Sequence, residues 1–157
     1  MKIKLMLLIL TTLCIASCGP DESETEFARD AVNPWAWSMA FGFNQGEVIS
    51  GETRTLYLSG QTSVDENGAP AHEGDIRAQF ELAFENVDTM LAAAGMDRSN
   101  VVRVTTFTTD MDGILANWDV YMSSYPEMGY MPPNTLIGID RLFVESLMVE
   151  IEVVAVD

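Results

Sequence analysis

Residues 132–156 read PPNTLIGIDRLFVESLMVEIEVVAV and contain two segments of strand character within 25 positions. Thr135 to Ile139 is short and apolar, bounded by Pro133 and by the turn residues Asp140 and Arg141. From Met148 to Val156 the chain alternates, so Val149, Ile151, Val153 and Ala155 share one face of a strand while Glu150 and Glu152 share the other. Two carboxylates near the end of an otherwise apolar strand are either a solvated edge or the polar lining of a site.

Working outward from this stretch, the residues before it supply layers to cover its apolar face. VVRVTTFTT, from Val101, is β-branched throughout and predicts a strand. Ahead of it, Ile76, Phe80, Ala83, Phe84, Val87, Met90, Leu91 and Ala94 recur at steps of three and four, which predicts a long helix N-capped by Asp75 and closed by Gly95. Asp110-Met111-Asp112-Gly113 reads as a break, and Ile114 to Tyr125 as a second helix with Leu115, Trp118, Val120 and Tyr121 available for packing. Phe41 to Ile49 and Thr55 to Gln61 predict two strands of a hairpin joined at Ser50-Gly51-Glu52. The acidic loop from Asp65 to Asp75, with His72 inside it, lacks the spacing of a calcium loop and reads as a solvated turn. The predicted order is β-β-α-β-α-β-β, an α+β domain of two layers with helices on one sheet face. The other face is then polar or covered by another subunit.

The amino-terminal end predicts processing. Lys2 and Lys4 precede an apolar run from Leu5 to Leu13, too short to span a bilayer comfortably, and Ile15-Ala16-Ser17-Cys18 follows. This arrangement resembles a bacterial lipoprotein signal, with residues 1–17 removed and Cys18 lipidated; an ordinary signal peptide or an uncleaved anchor is the alternative. Residues 18–32 are acidic and read as a tether, and residues 33–157 as the domain, opening on Asn33-Pro34-Trp35-Ala36-Trp37. The expected location is the cell envelope, lipid-anchored to a bacterial membrane.

Composition excludes several chemistries. The chain of 157 residues carries eight basic and 24 acidic side chains, a formal net charge of −16. Both lysines lie in the signal, so the domain has none, and neither a lysine Schiff base nor a P-loop lysine is available. Of the two cysteines, Cys14 lies in the signal and Cys18 is the expected lipid site; with these and only His72, neither a thiolate nucleophile nor a Cys/His metal cage is expected, and no cofactor. Nucleic acid is an unfavourable partner, since nothing here neutralises phosphates.

Several stretches together resemble the RidA (YjgF-type) family: Leu58-Ser59-Gly60-Gln61 after the hairpin, Gly74 to Gln79 opening the helix, Asn86 and Ala93-Ala94-Gly95 within and closing it, Val104 to Met111, and Met148 to Ala155. The resemblance covers residues 33 to 156. It implies a chorismate-mutase-like fold assembled as a homotrimer, with the sheets forming an interior barrel and ligand clefts between subunits. Active members hydrolyse reactive enamines and imines to 2-oxo acids and ammonia, an arginine after the Pro-containing loop gripping the substrate carboxylate and a glutamate on the last strand placing the water.

Carried over by position, that glutamate is Glu150, the Ser-Gly wall of the cleft is Ser59 and Gly60, and the amino-terminal aromatic is Trp37 in place of the more usual tyrosine. The arginine position holds Asn134, the small residue two places later is Leu136, and the helix asparagine is Trp118. Asparagine cannot reproduce the bidentate, charged grip of a guanidinium. A hydrogen bond to a charged group is worth roughly 1.5 to 3 kcal/mol, or about one to two orders of magnitude in binding. Arg141 lies seven positions on and reads as a turn or surface residue. The resemblance therefore implies a trimer with a small-molecule cleft but without the usual carboxylate anchor. If it is active, an enamine or imine deaminase using Glu150 is implied.

Overall fold

The computed structural model describes residues 27–125 and 131–157. Its chain order is β1 (Ala28–Val32), a 3-10 helix (Ala36–Phe41), β2 (Gly46–Ser50), β3 (Thr55–Tyr57), β4 (Gln61–Thr62), α1 (Ile76–Ala93), a short 3-10 turn (Arg98–Asn100), β5 (Val101–Thr108), α2 (Met111–Ala116), α3 (Asp119–Ser124), β6 (Asn134–Gly138) and β7 (Val149–Val156). The alternation in the last strand does what it predicts: Val149, Ile151, Val153 and Ala155 are buried and Glu150, Glu152 and Val154 half-buried on the opposite face. β7 is central, antiparallel to β5 on one side and to β3 and β4 on the other, and β6 lies parallel to β5 at the edge.

One face of this sheet is covered by helices, giving an α+β architecture of two layers. Asp75 caps α1 by accepting from Ala78 N at 3.0 Å, and Gly95, at φ 74°, closes it in the left-handed conformation that glycine adopts without strain. Phe80, Ala83, Phe84, Val87 and Leu91 of α1 are buried with Val104, Ile114, Tyr121, Val149, Ile151 and Val153. A rim of rings runs from Phe80 and Phe84 through Tyr121, with Trp118 stacked on Tyr121 at 4.6 Å. Gln79 ties α1 to the start of β7. Its amide donates to the Ser146 carbonyl at 2.8 Å and accepts from Met148 N at 2.7 Å, satisfying a buried polar side chain.

Four expectations are corrected. β2 pairs with β1 and not with β3, so the hairpin through Ser50-Gly51-Glu52 does not form and the last five residues of the expected tether are a strand. Arg29 of β1 meets Glu47 of β2 in a half-buried ion pair at 2.9 Å and ties the small sheet to the domain by donating to the Val101 and Ser99 carbonyls. Residues 41–45 are not strand, because Gly42 (φ 77°) ends the 3-10 helix there. The expected strand from Thr55 to Gln61 is interrupted: between Tyr57↔Val154 and Gln61↔Ile151, four steps on one side match three on the other, leaving one extra residue around Ser59 and Gly60. Finally, the segment at Asp110 ends β5 as expected, but Asp110 also caps α2, accepting from Gly113 N at 2.9 Å, so the helix starts at Met111 and not Ile114, and the expected single helix is two short ones turning at Asn117 and Trp118. The signal, Cys18 and the first part of the tether lie outside the described residues, as do residues 126–130.

Candidate functional site

β6 hydrogen-bonds to β5 with Asn134 opposite Val104 and Leu136 opposite Thr106. Val104 and Thr106 are fully buried beneath the helices, so Asn134 and Leu136 project to that same side, at the sheet edge that α1 does not reach. There they meet Trp118 from the turn between α2 and α3. Its indole N–H donates to the Phe41 carbonyl at 3.0 Å, which brings the 3-10 helix and its aromatic residues over the edge. The result is a cavity of about 530 Å³ lined by Trp37, Phe41, Phe43, Trp118, Asn134 and Leu136, with Leu115 at its rim. Its volume lies within the usual range for small-molecule sites.

The walls are aromatic and the polar content is small. Trp37 packs edgewise on Phe41 (6.4 Å, 68° between planes) and Phe43 (5.7 Å, 78°). Asn134 is the one residue with a polar side-chain tip other than indole among those lining the cavity. Its Nδ2 is buried beside the Tyr121 hydroxyl without an acceptor in hydrogen-bonding geometry, while that hydroxyl donates to the Pro132 carbonyl at 3.3 Å. Burial pushes the Tyr121 phenol well above its ordinary value, partly offset by the Asn134 amide and reinforced by the negative charge of Glu47. The phenol stays neutral at any physiological pH. Arg141 is exposed beyond the far end of β6, and no basic side chain among the described residues lines the cavity.

Glu150 stands elsewhere. It pairs with Phe107 on β5 and with Thr62 on β4, on the sheet face opposite the helices. By strand spacing it is three residues along and two strands across from Asn134, about 14 Å away. Its carboxylate lies against Gly60, where an added Cβ would come within 1.7 Å of Oε1 and 2.5 Å of Cγ. Ser59 is exposed beside it, its carbonyl accepting from Gln61 Nε2 at 2.9 Å. Burial, and after it the neighbouring Glu152 carboxylate, raise the Glu150 pKa. Neither glutamate side chain has a hydrogen bond or ion pair among the described residues, so a half-buried pair of carboxylates stands without a partner on that face.

The seven residues singled out in the sequence thus form two groups. Trp37, Trp118, Asn134 and Leu136 converge on one cavity; Ser59, Gly60 and Glu150 make a second cluster on the opposite face, and within one chain the two do not meet. Phe41, Phe43 and Leu115 were missed as lining residues. The aromatic recurrence at Trp35, Trp37, Phe41 and Phe43 is their signal in the sequence, and the strand character of the run from Phe41 obscures it. Among the described residues no group of three His, Cys, Asp or Glu side chains is placed to hold a metal ion.

The model of the endoribonuclease L-PSP family matches residues 37–157. The chain belongs to that family. Its solved members include the Rid family protein YyfB of Yersinia pestis, described as of unknown function, which superposes with a TM-score of 0.75 at 28% identity over 82% of this chain and 98% of that one. A RutC family protein of Aquifex aeolicus is 32% identical over 82% of this chain and 98% of its own length. The 2-iminobutanoate/2-iminopropanoate deaminase of Capra hircus is 31% identical over 62% of this chain and 74% of its own. The RidA resemblance and the α+β fold it implied are therefore correct, and the family includes both imine deaminases and Rid proteins without an assigned function.

Proposed function

We propose that this Rid-family chain binds a small metabolite in clefts between copies of itself, and that it is not an arginine-dependent imino-acid deaminase. The observation that carries the reading is Asn134: the position expected to grip a substrate carboxylate lines a real cavity but holds a neutral amide, with no basic side chain among the described lining residues. The division of the site supports the subunit cleft. Two half-sites on opposite sheet faces form one site only if the Trp37–Trp118–Asn134 cavity of one copy faces the Ser59–Gly60–Glu150 cluster of the next, which is a heterologous contact of the kind that closes into a ring. The sheet face without helices also carries Phe107, Ile137, Val154 and the exposed Tyr57, apolar surface that a homotrimer with an interior barrel would cover. Light scattering on the purified chain is expected to return a trimer, and a metabolite panel is expected to raise its melting temperature; a monomer indifferent to every ligand would remove the proposal.

The second reading is an enamine or imine deaminase in which Glu150 places the attacking water. It is favoured by the raised pKa of Glu150, which brings a carboxylate towards the range of a useful general base. Freshly generated imines of neutral or cationic character should then be hydrolysed faster than in buffer, with the rate lost in Glu150→Gln. The endoribonuclease in the family's name is not carried over: the domain is acidic and lysine-free and lacks groups to hold a phosphodiester. For the amino terminus, the proposal is a lipid anchor on Cys18 that holds the trimer to a bacterial envelope membrane. Cys18→Ala is expected to move the protein from the membrane fraction to the soluble one.

A further inference from the structure

Resting on the inter-subunit cleft just proposed, we infer that its ligand is an organic cation of the alkylammonium class, held in a box of aromatic rings. Trp37, Phe41, Phe43 and Trp118 all line the cavity. Trp37 stands nearly perpendicular to both phenylalanine rings, so the walls turn corners and do not form one flat stack. A cation over such rings is attracted by their quadrupoles, tryptophan most strongly, and a methylated ammonium is the cation most easily stripped of water. An anion has no charged partner there: among the described residues lining the cavity the polar side chains are Asn134 and the indoles, all neutral, and the whole chain has a net charge of −16.

The cluster that would close the cleft from the neighbouring copy carries the complementary charge. Glu150 and Glu152 lie two residues apart on one face of β7, half-buried and without a counter-ion among the described residues. Burial, and after it the Glu152 carboxylate, raise the cost of ionising Glu150. Arg103 shares that sheet face but gives its guanidinium to the Thr135 hydroxyl. A cationic ligand between the rings of one copy and the carboxylates of the next relieves that repulsion, whereas an imino-acid carboxylate worsens it.

The test is a set of ligands of one shape and three charges, titrated into the full-length protein by calorimetry and tryptophan fluorescence: choline, its neutral carbon analogue 3,3-dimethylbutan-1-ol, and the anion 3,3-dimethylbutanoate. Choline is expected to saturate at least about ten-fold tighter than the alcohol, the contribution of a partly desolvated cation–π contact, and the anion not to saturate. Trp37→Leu should erase the preference and Trp35→Leu, outside the cavity, should keep it. Equal binding of choline and alcohol, or tighter binding of the anion, overturns the cation assignment while leaving the cleft itself in place. No binding of any of the three overturns the assignment too, and the oligomeric state measured on the same sample then decides the cleft separately: a trimer retains it and a monomer ends it.

Discussion

At Gly60 the missing Cβ is replaced by the Glu150 side chain, whose Cγ and carboxylate occupy the space an alanine methyl would need. The requirement is steric and not conformational, since Gly60 is not among the glycines with positive φ. Gly60→Ala is therefore expected to cost about 1 to 3 kcal/mol, the usual range for inserting an atom into a filled site. Urea unfolding of Gly60→Ala, Glu150→Ala and the double variant should show strong coupling, the double variant recovering most of the loss; additive effects would mean that the two residues are not in contact. Glu150 also predicts a pH dependence. Its pKa is raised in the folded state, so the folded protein binds the proton more tightly, and the burial penalty is absent at low pH and develops as pH rises above the ordinary value of 4.5. Glu150→Gln should match the wild type in stability at pH 4 and exceed it at pH 7; the opposite trend would mean that the carboxylate has a cationic partner. Asn134→Arg puts back the missing guanidinium, and a 2-oxo acid such as 2-oxobutanoate should gain about one to two orders of magnitude in calorimetric affinity, from a charge-assisted bond of roughly 1.5 to 3 kcal/mol.

Among the elements, the turn between α2 and α3 links stability to the cavity. Trp118 stacks on Tyr121, touches the ring of Phe80 at 6.4 Å and holds Phe41 through its indole N–H. Trp118→Ala should lower stability by about 3 kcal/mol, the lower end for deleting a large aromatic because the ring is half-buried, and should abolish fluorescence-detected binding in the cavity. α1, β5 and β7 were legible in the sequence because each carries a long, single-period pattern that matches what it packs against. β2 is a strand as expected but finds a different partner for a physical reason: local sequence marks a turn at Ser50-Gly51-Glu52 but does not say which strand becomes the partner. The Arg29–Glu47 pair that selects β1 spans 18 positions and no short-range pattern shows it. The bulge at Ser59 and Gly60 and the split of the second helix were likewise decided by tertiary contacts, with Glu150 in the first case and with Tyr121 and Phe41 in the second. In the site, position within the family supplied Trp37, Trp118, Asn134 and Leu136, whereas Phe41 and Phe43 followed only once the 3-10 helix had been folded over the sheet edge.

In the whole molecule, the two half-sites lie on the two faces of one sheet. The cavity that holds Asn134 and the cluster that holds Glu150 are separated by the sheet's thickness, and a single chain leaves both open. The proposed ring of subunits makes them opposite walls of one cleft, and this can be tested without knowing the ligand. In full-length protein with Cys14 and Cys18 changed to serine, Leu115→Cys marks the rim of the cavity and Ser59→Cys marks the facing cluster. When chains carrying the one are co-assembled with chains carrying the other and treated with a short bismaleimide, cross-linked heterodimers are expected, absent when either variant is treated alone. A mixture that yields no cross-link beyond the separate variants would contradict the shared cleft.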